Sequence, residues 1–195
     1  MKQLICGIDE AGRGPLAGPV YAAAVILGEN FKSNNPSVFA MLNDSKKLSE
    51  TKREQLQIQI KENALAWGIG RASHEEIDKI NILQASLLAM KRAFEEMMNT
   101  VKLSDLNISV IVDGNKTPNL SVPCTALVKA DAQIPEVMAA SILAKTARDN
   151  YMNEMAKLYP QYGYEKHKGY PTKAHRELIK KHGPSPIQRM SFSVS

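Results

Sequence analysis

Residues 3–28 read Gln3-Leu4-Ile5-Cys6-Gly7-Ile8-Asp9-Glu10-Ala11-Gly12-Arg13-Gly14-Pro15-Leu16-Ala17-Gly18-Pro19-Val20-Tyr21-Ala22-Ala23-Ala24-Val25-Ile26-Leu27-Gly28. Residues 3–9 and 19–28 read as strands. The second, Val20 to Leu27, is nearly all apolar and rich in small and β-branched residues, the composition of a strand buried on both faces. Between the two, Ala11 to Pro19 is dense in Gly and Pro and must turn. A strand covered on both sides needs helices above and below it, so this stretch points to a layered α/β domain.

The flanking sequence agrees. Ser49 is an N-cap for a helix running to about Asn63. Ala64 to Ser73 reads as a third strand and holds the single tryptophan, Trp67. From about Asn81 to Asn99, Leu83, Leu87, Met90, Phe94 and Met97 recur at helical spacing, a core-packing stripe. Ile108 to Asp113 is a compact strand ending in the turn signal Asp113-Gly114-Asn115. Ser121 to Lys129 reads as a further strand. Ile134 to about Leu158 is a long helix whose Ala139, Ala140, Ser141, Ala144 and Ala147 let it lie close to a sheet. Pro171 to His182 is a short basic helix ended by Gly183-Pro184-Ser185-Pro186. Adjacent early strands followed by strand–helix alternation predict a mixed sheet.

The 195 residues, 44% hydrophobic and 23% charged, suit one globular domain and exclude disorder or collagen as a description of the chain. Pro19 to Leu27 is too short to cross a bilayer. The start, Met1-Lys2-Gln3-Leu4, runs straight into Asp9 and Glu10 and does not read as a secretory signal. Cys6 and Cys124 sit among apolar neighbours and read as small hydrophobes in a reducing, cytoplasmic setting. A monomer is expected. The net charge of +5 is unevenly placed. Residues 1–150 hold 17 Lys/Arg against 17 Asp/Glu, and residues 151–195 hold 8 against 3. A basic segment on a neutral body suits either a polyanion surface or a solvated tail.

Four acids stand at predicted strand ends: Asp9, Glu10, Asp113 and Asp131. Clustered carboxylates suit hard divalent ions, and Mg²⁺ and Mn²⁺ both prefer oxygen ligands. The four histidines, His74, His167, His175 and His182, pair with neither cysteine, so no zinc site is indicated. Nor is there a nucleophile elbow for Ser-His-Asp chemistry. Neighbours on a strand point to opposite faces, so Asp9 and Glu10 share a site only if the backbone turns there, a turn that the Gly-rich stretch from Gly12 favours. The Gly12-Arg13-Gly14 loop lets a ligand approach the backbone closely.

Taken together, Gly7 to Val20, Asp44-Ser45-Lys46-Lys47-Leu48, Asp113-Gly114-Asn115, Lys129-Ala130-Asp131-Ala132 with Ala139 to Lys145, His167-Lys168-Gly169-Tyr170-Pro171-Thr172-Lys173-Ala174-His175 and Gly183-Pro184-Ser185-Pro186 resemble bacterial ribonuclease HII, the type 2 ribonuclease H. The blocks fall in the family's order and span nearly the whole chain. The resemblance implies a ribonuclease H-like fold: a mixed five-stranded sheet flanked by helices in residues 1–158, with a basic helical C-terminal segment, 159–195, packed on the same domain. It implies cleavage of RNA in RNA–DNA hybrids and incision 5′ to single ribonucleotides in duplex DNA, with roles in primer removal and ribonucleotide repair. By the same resemblance Asp9, Glu10, Asp113 and Asp131 are the ligands of a two-metal Mn²⁺ or Mg²⁺ site. Asp9 would bridge, Asp113 and Glu10 would complete one shell, and Asp131 would serve the second. Gly12-Arg13-Gly14 would sense the ribonucleotide, Tyr170 would read the junction, and Lys46 and Lys47 would approach the phosphate backbone. Lys166, Lys168, Lys173, Arg176, Lys180 and Lys181 would hold the duplex through its phosphates. Three departures from the family pattern are Ala130, where Gly is usual, the acidic Glu136, and the end Gln188-Arg189-Met190-Ser191-Phe192, which lacks one of the basic residues common there. Another two-metal nuclease on a similar fold and a non-catalytic duplex-binding protein are the rival readings.

Overall fold

The computed structural model describes residues 3–43, 48–100 and 107–194. Five strands form one mixed sheet: β1 (Gln3–Ala11), β2 (Val20–Ile26), β3 (Ala66–Ala72), β4 (Asn107–Asp113) and β5 (Cys124–Leu127), in the order β3-β2-β1-β4-β5. β1 pairs antiparallel with β2 and β2 antiparallel with β3, whereas β1–β4 and β4–β5 are parallel. All seven residues of β2 are buried, as its unbroken apolar sequence requires.

Helices cover both faces. On one face lies α4 (His74–Thr100), whose Ala89, Met90, Ala93, Phe94 and Met97 join Ile8, Ala22, Ala24 and Val112 in one core. Glycine makes this contact possible. A Cβ on Gly68 would stand 2.3 Å from the Met97 nitrogen, and one on Gly70 would stand 2.4 Å from the Ala89 carbonyl oxygen. On the other face α5 (Pro135–Leu158) packs through Ala139, Ala140 and Ala144, with α2 (Pro36–Asn43) and α3 (Glu50–Asn63) beside it. A Cβ on Gly7 would meet the Glu136 backbone carbon at 2.2 Å, so α5 starts directly against β1. The short helix α1 (Phe31–Asn34) precedes α2. The C-terminal part contains α6 (Tyr164–His167) and α7 (Lys173–His182), and a third cluster forms around Ala17, Met152, Tyr162, Tyr164 and Ile187.

Several elements differ from the sequence reading. α1 and α2 were not anticipated, because residues 31–43 lack a long periodic stripe. α4 begins at His74, seven residues earlier than expected, but breaks at Asn81 (φ 67°), whose Oδ1 accepts the Gln84 amide and caps the longer part. Leu83 and Leu87 are only half-buried. The closest approach to the glycines of β3 is made by α4 backbone at Ala89, Ala93 and Met97, C-terminal to Leu83 and Leu87. β5 is four residues long, since Lys129 adopts φ 60° and ends the extended run early.

Candidate active site

The sheet topology brings distant acids together. Because β1 and β4 are parallel neighbours with Ile8 opposite Val112, Asp9 and Asp113 follow side by side toward the C-terminal ends of their strands, on the α5 face. After β5 the chain enters a short 3₁₀ turn, Ala130–Ala132, which carries Asp131 back to the same point, its amide donating to Asp113 Oδ1 at 3.4 Å. Carboxylate oxygens of Asp9, Asp113 and Asp131 lie within 4.8 Å of one another. Ala130 is buried in that turn, and the left-handed conformation falls on Lys129 instead, so the turn forms without glycine at 130.

Glu10 is placed differently. β1 continues through Ala11, so the backbone does not turn at Glu10, which pairs with Ala22 while Asp9 pairs with Ala23. Its carboxylate is therefore outside the three-aspartate group, yet close enough to repel Asp9 and Asp113. Arg13 Nη1 lies 3.4 Å from Glu10 Oε1, and Glu10 Oε2 is buried with no hydrogen-bond donor.

Burial, then the charges of Glu10 and Asp113, raise the Asp9 carboxyl well above the ordinary carboxylate range, against donors from the Glu10 amide (2.7 Å) and Ser141. Burial likewise raises Glu10, partly offset by Arg13. Carboxylates crowded out of water without a balancing cation are a costly arrangement unless something positive is bound. The all-oxygen donor set, together with the orphaned Oε2, fits a hard divalent ion.

Beside the acids, Gly12 (φ 100°) opens the Gly12–Gly14 loop, with Arg13 and Gly14 exposed. Two buried arginines hold it from beneath. Arg189 donates to the carbonyls of Gly12 (2.6 Å), Arg13 (3.0 Å) and Gly18 (2.8 Å). Arg148 donates to Ala17 (3.1 Å), Pro19 (3.2 Å) and Lys168 (3.0 Å). Burial and the neighbouring Arg148 push the Arg189 guanidinium down to about 9. Tyr170 stands across from the loop: a Cβ on Gly14 would lie 3.8 Å from its Cε1. Lys145 and Arg148 lie over its ring, at 5.7 Å and 5.6 Å from the centroid.

Among the expected phosphate contacts, Lys166, Lys173, Lys180 and Lys181 are exposed. Lys168 is not available in the same way: its half-buried ammonium donates to Asn153 and to the Glu165 carbonyl and lies 3.4 Å from Glu50. Lys46 and Lys47 lie outside the described residues.

The profile of the family described as Ribonuclease HII matches residues 6–195. The chain belongs to the ribonuclease HII family. It is 54% identical to ribonuclease HII of Dechloromonas aromatica over 97% of this chain and 90% of that protein. It is also 54% identical to that of Treponema denticola, over 98% of each. Among solved structures, ribonuclease H2 of Pyrococcus horikoshii superposes with a TM-score of 0.74 at 25% identity, covering 98% of this chain and 94% of that one. Like other members of the ribonuclease HII family, the protein is a hydrolase acting on RNA in RNA–DNA hybrids. None of its helices among the described residues is long and apolar enough to cross a membrane.

Two residues at this candidate site escaped the sequence reading, Arg148 and Arg189. A trace of the first was present: Ala140, Ala144, Arg148 and Met152 follow at four-residue steps and are all buried. One long cation in a file of otherwise uncharged helix positions must find partners inside. Arg189 carries no comparable local signal.

Proposed function

We propose that this ribonuclease HII cleaves the RNA strand of hybrids and also nicks 5′ to a single ribonucleotide embedded in duplex DNA, using two divalent ions, Mn²⁺ or Mg²⁺. The convergence of three aspartates from separate elements beside a glycine loop and a facing tyrosine supports this reading most directly. Asp9, the most buried of the acids, would be the shared ligand; Asp113 would complete one ion's set, which Glu10 would join from outside the aspartate group through its unpartnered Oε2, and Asp131 would serve the other. Ions held there would supply the charge that lowers the pKa of the attacking water and offsets charge on the departing 3′-oxygen, so that hydrolysis leaves a 5′-phosphate and a 3′-hydroxyl.

The chain's own groups do the rest. The Glu10 amide and the Ser141 hydroxyl fix the orientation of the Asp9 carboxylate, as second-shell donors commonly do. The peptide groups of Gly12, Arg13 and Gly14 reach the 2′-hydroxyl, the feature that separates RNA from DNA at one position. Tyr170 packs its ring on the next sugar, where an added hydroxyl would clash. Exposed Lys166, Lys173, Lys180 and Lys181, with Lys46 and Lys47, grip phosphates without reading sequence. The segment 159–195 thus works as part of the same catalytic unit as residues 1–158, and the enzyme serves primer removal and ribonucleotide excision in the cytoplasm.

The deciding experiment is a labelled DNA duplex carrying one ribonucleotide, incubated with and without Mn²⁺ or Mg²⁺. Metal-dependent nicking on the 5′ side of the ribonucleotide is expected. Cleavage of long hybrids without any nick in this duplex would refute the single-ribonucleotide reading.

A further inference from the structure

We propose that Arg189 sets the polarity of the Gly12–Arg13 and Arg13–Gly14 peptides, so that both present their N–H donors outward, and is thereby a positioning residue for ribose recognition. The inference rests on the reading of this loop as the 2′-hydroxyl sensor.

Peptide planarity carries the reasoning. In a trans peptide the N–H of one residue points opposite to the C=O of the residue before it, and no cis bond occurs among the described residues. Arg189 Nη2 draws the Gly12 carbonyl inward and Nη1 draws the Arg13 carbonyl inward. The amides of Arg13 and Gly14 must then point away from Arg189, toward the exposed side of the loop. Neither donates to any group among the described residues. Gly14 borders the Tyr170 ring, which places this end of the loop beside the tyrosine.

Without such a clamp, a peptide flanked by glycine would rotate at little cost, because glycine tolerates both signs of φ. A rotated peptide would show its carbonyl, which repels a phosphate oxygen and can only accept from a hydroxyl, not donate to its lone pairs. Arg189 removes that alternative. Its position is itself held: the amides of Met190 and Ser191 and the Ser191 hydroxyl all donate to Asp78. Arg148 closes the underside, since its Nε lies 2.1 Å from where a Gly12 Cβ would be. Two guanidiniums share this buried space, and among the described residues all six of their hydrogen bonds go to backbone carbonyls and none to a carboxylate. Such a pair is a poor way to gain stability, and its placement under the loop fits a role in recognition.

The test compares the wild-type holoenzyme with Arg189→Lys, which keeps the charge but cannot fork between two carbonyls. Two quantities are measured in Mn²⁺: kcat/KM for nicking the one-ribonucleotide duplex, and the inhibition constant of the same duplex made wholly of DNA. Losing one oriented donor is expected to lower kcat/KM by about fivefold or more, with the inhibition constant unchanged. An unchanged kcat/KM, or equal losses in both quantities, overturns the inference while leaving the loop reading intact. A wild-type enzyme that fails to nick this duplex removes the loop reading, and the inference with it. Should Arg189→Lys not melt cooperatively, Asp78→Asn, at the surface, loosens the Arg189 anchor and is held to the same split.

Discussion

Replacing Asp9 by Asn should make the metal-free protein more stable while it destroys the metal response. Asp9 is 6% exposed and its carboxylate lies within 4.8 Å of those of Asp113 and Asp131. At an effective dielectric of ~20, two unit charges at that spacing repel by roughly 3 kcal/mol, and less where solvent reaches the half-buried partners. Asparagine keeps the Oδ1 acceptor for the Glu10 amide and nearly the same shape, so the charge is the main loss. A net gain of about 1–3 kcal/mol is expected, or about 2–12 °C in Tm for a chain of this size. The assay is thermal unfolding followed by circular dichroism in chelator and again in Mn²⁺. Wild type should gain Tm with Mn²⁺ by mass action, and the variant should gain far less. The sign with pH is also fixed. The raised Asp9 carboxyl makes the folded state bind more protons than the unfolded one just above the ordinary carboxylate range, so wild-type stability rises as pH falls into that window and the gap to the variant narrows. A variant that melts below wild type in chelator, and still responds fully to Mn²⁺, would show that these carboxylates do not form a charge-strained metal site.

Tyr170→Ala should slow nicking of the one-ribonucleotide duplex at least tenfold, on the order of 1.4 kcal/mol, while gel-shift affinity for a long hybrid changes little; equal losses would point to general binding. His175, fully buried and stacked on His167 at 4.3 Å, has its imidazole pushed down by burial to about 4. The unfolded chain, with a His pKa near ~6.5, therefore binds more protons between those values. The contribution of His175 is complete above the upper value and is lost as pH falls toward 4, by about 1–2 kcal/mol after allowance for solvent screening. Urea unfolding at pH 7 and 4.5 should show this loss, and His175→Asn should flatten it. Gly70→Ala should destabilise by about 3 kcal/mol or more, because its Cβ would meet α4 backbone that cannot move aside; a denaturation midpoint equal to wild type would show that α4 can lift from the sheet.

Local signals made much of this molecule readable. The apolar run of β2, the Ser49 cap whose hydroxyl accepts the Lys52 amide, and the Gly183 stop after α7 all act within a few residues. The same holds for the acids at strand ends, since a polar residue closing an apolar run marks where the strand leaves the core. The two-residue period of a strand sets Asp9 and Glu10 on opposite faces, and the turn that the glycine-rich stretch suggested at Glu10 does not form, because β1 stays paired through Ala11. The start of α4 was missed because Asn81 interrupts the helix and mimics a first residue.

The chain by itself determined which residues could do chemistry and where its elements lie, because caps, turns and periodicity depend on neighbours along the backbone. Only the tertiary structure decided which acids meet and what faces them. Asp9 reaches Asp113 because β4 pairs with β1 in one register, and Arg189 reaches Gly12 across nearly the whole chain. Such contacts form when buried surfaces and carbonyls find partners remote in sequence, and no short stretch carries a record of that choice.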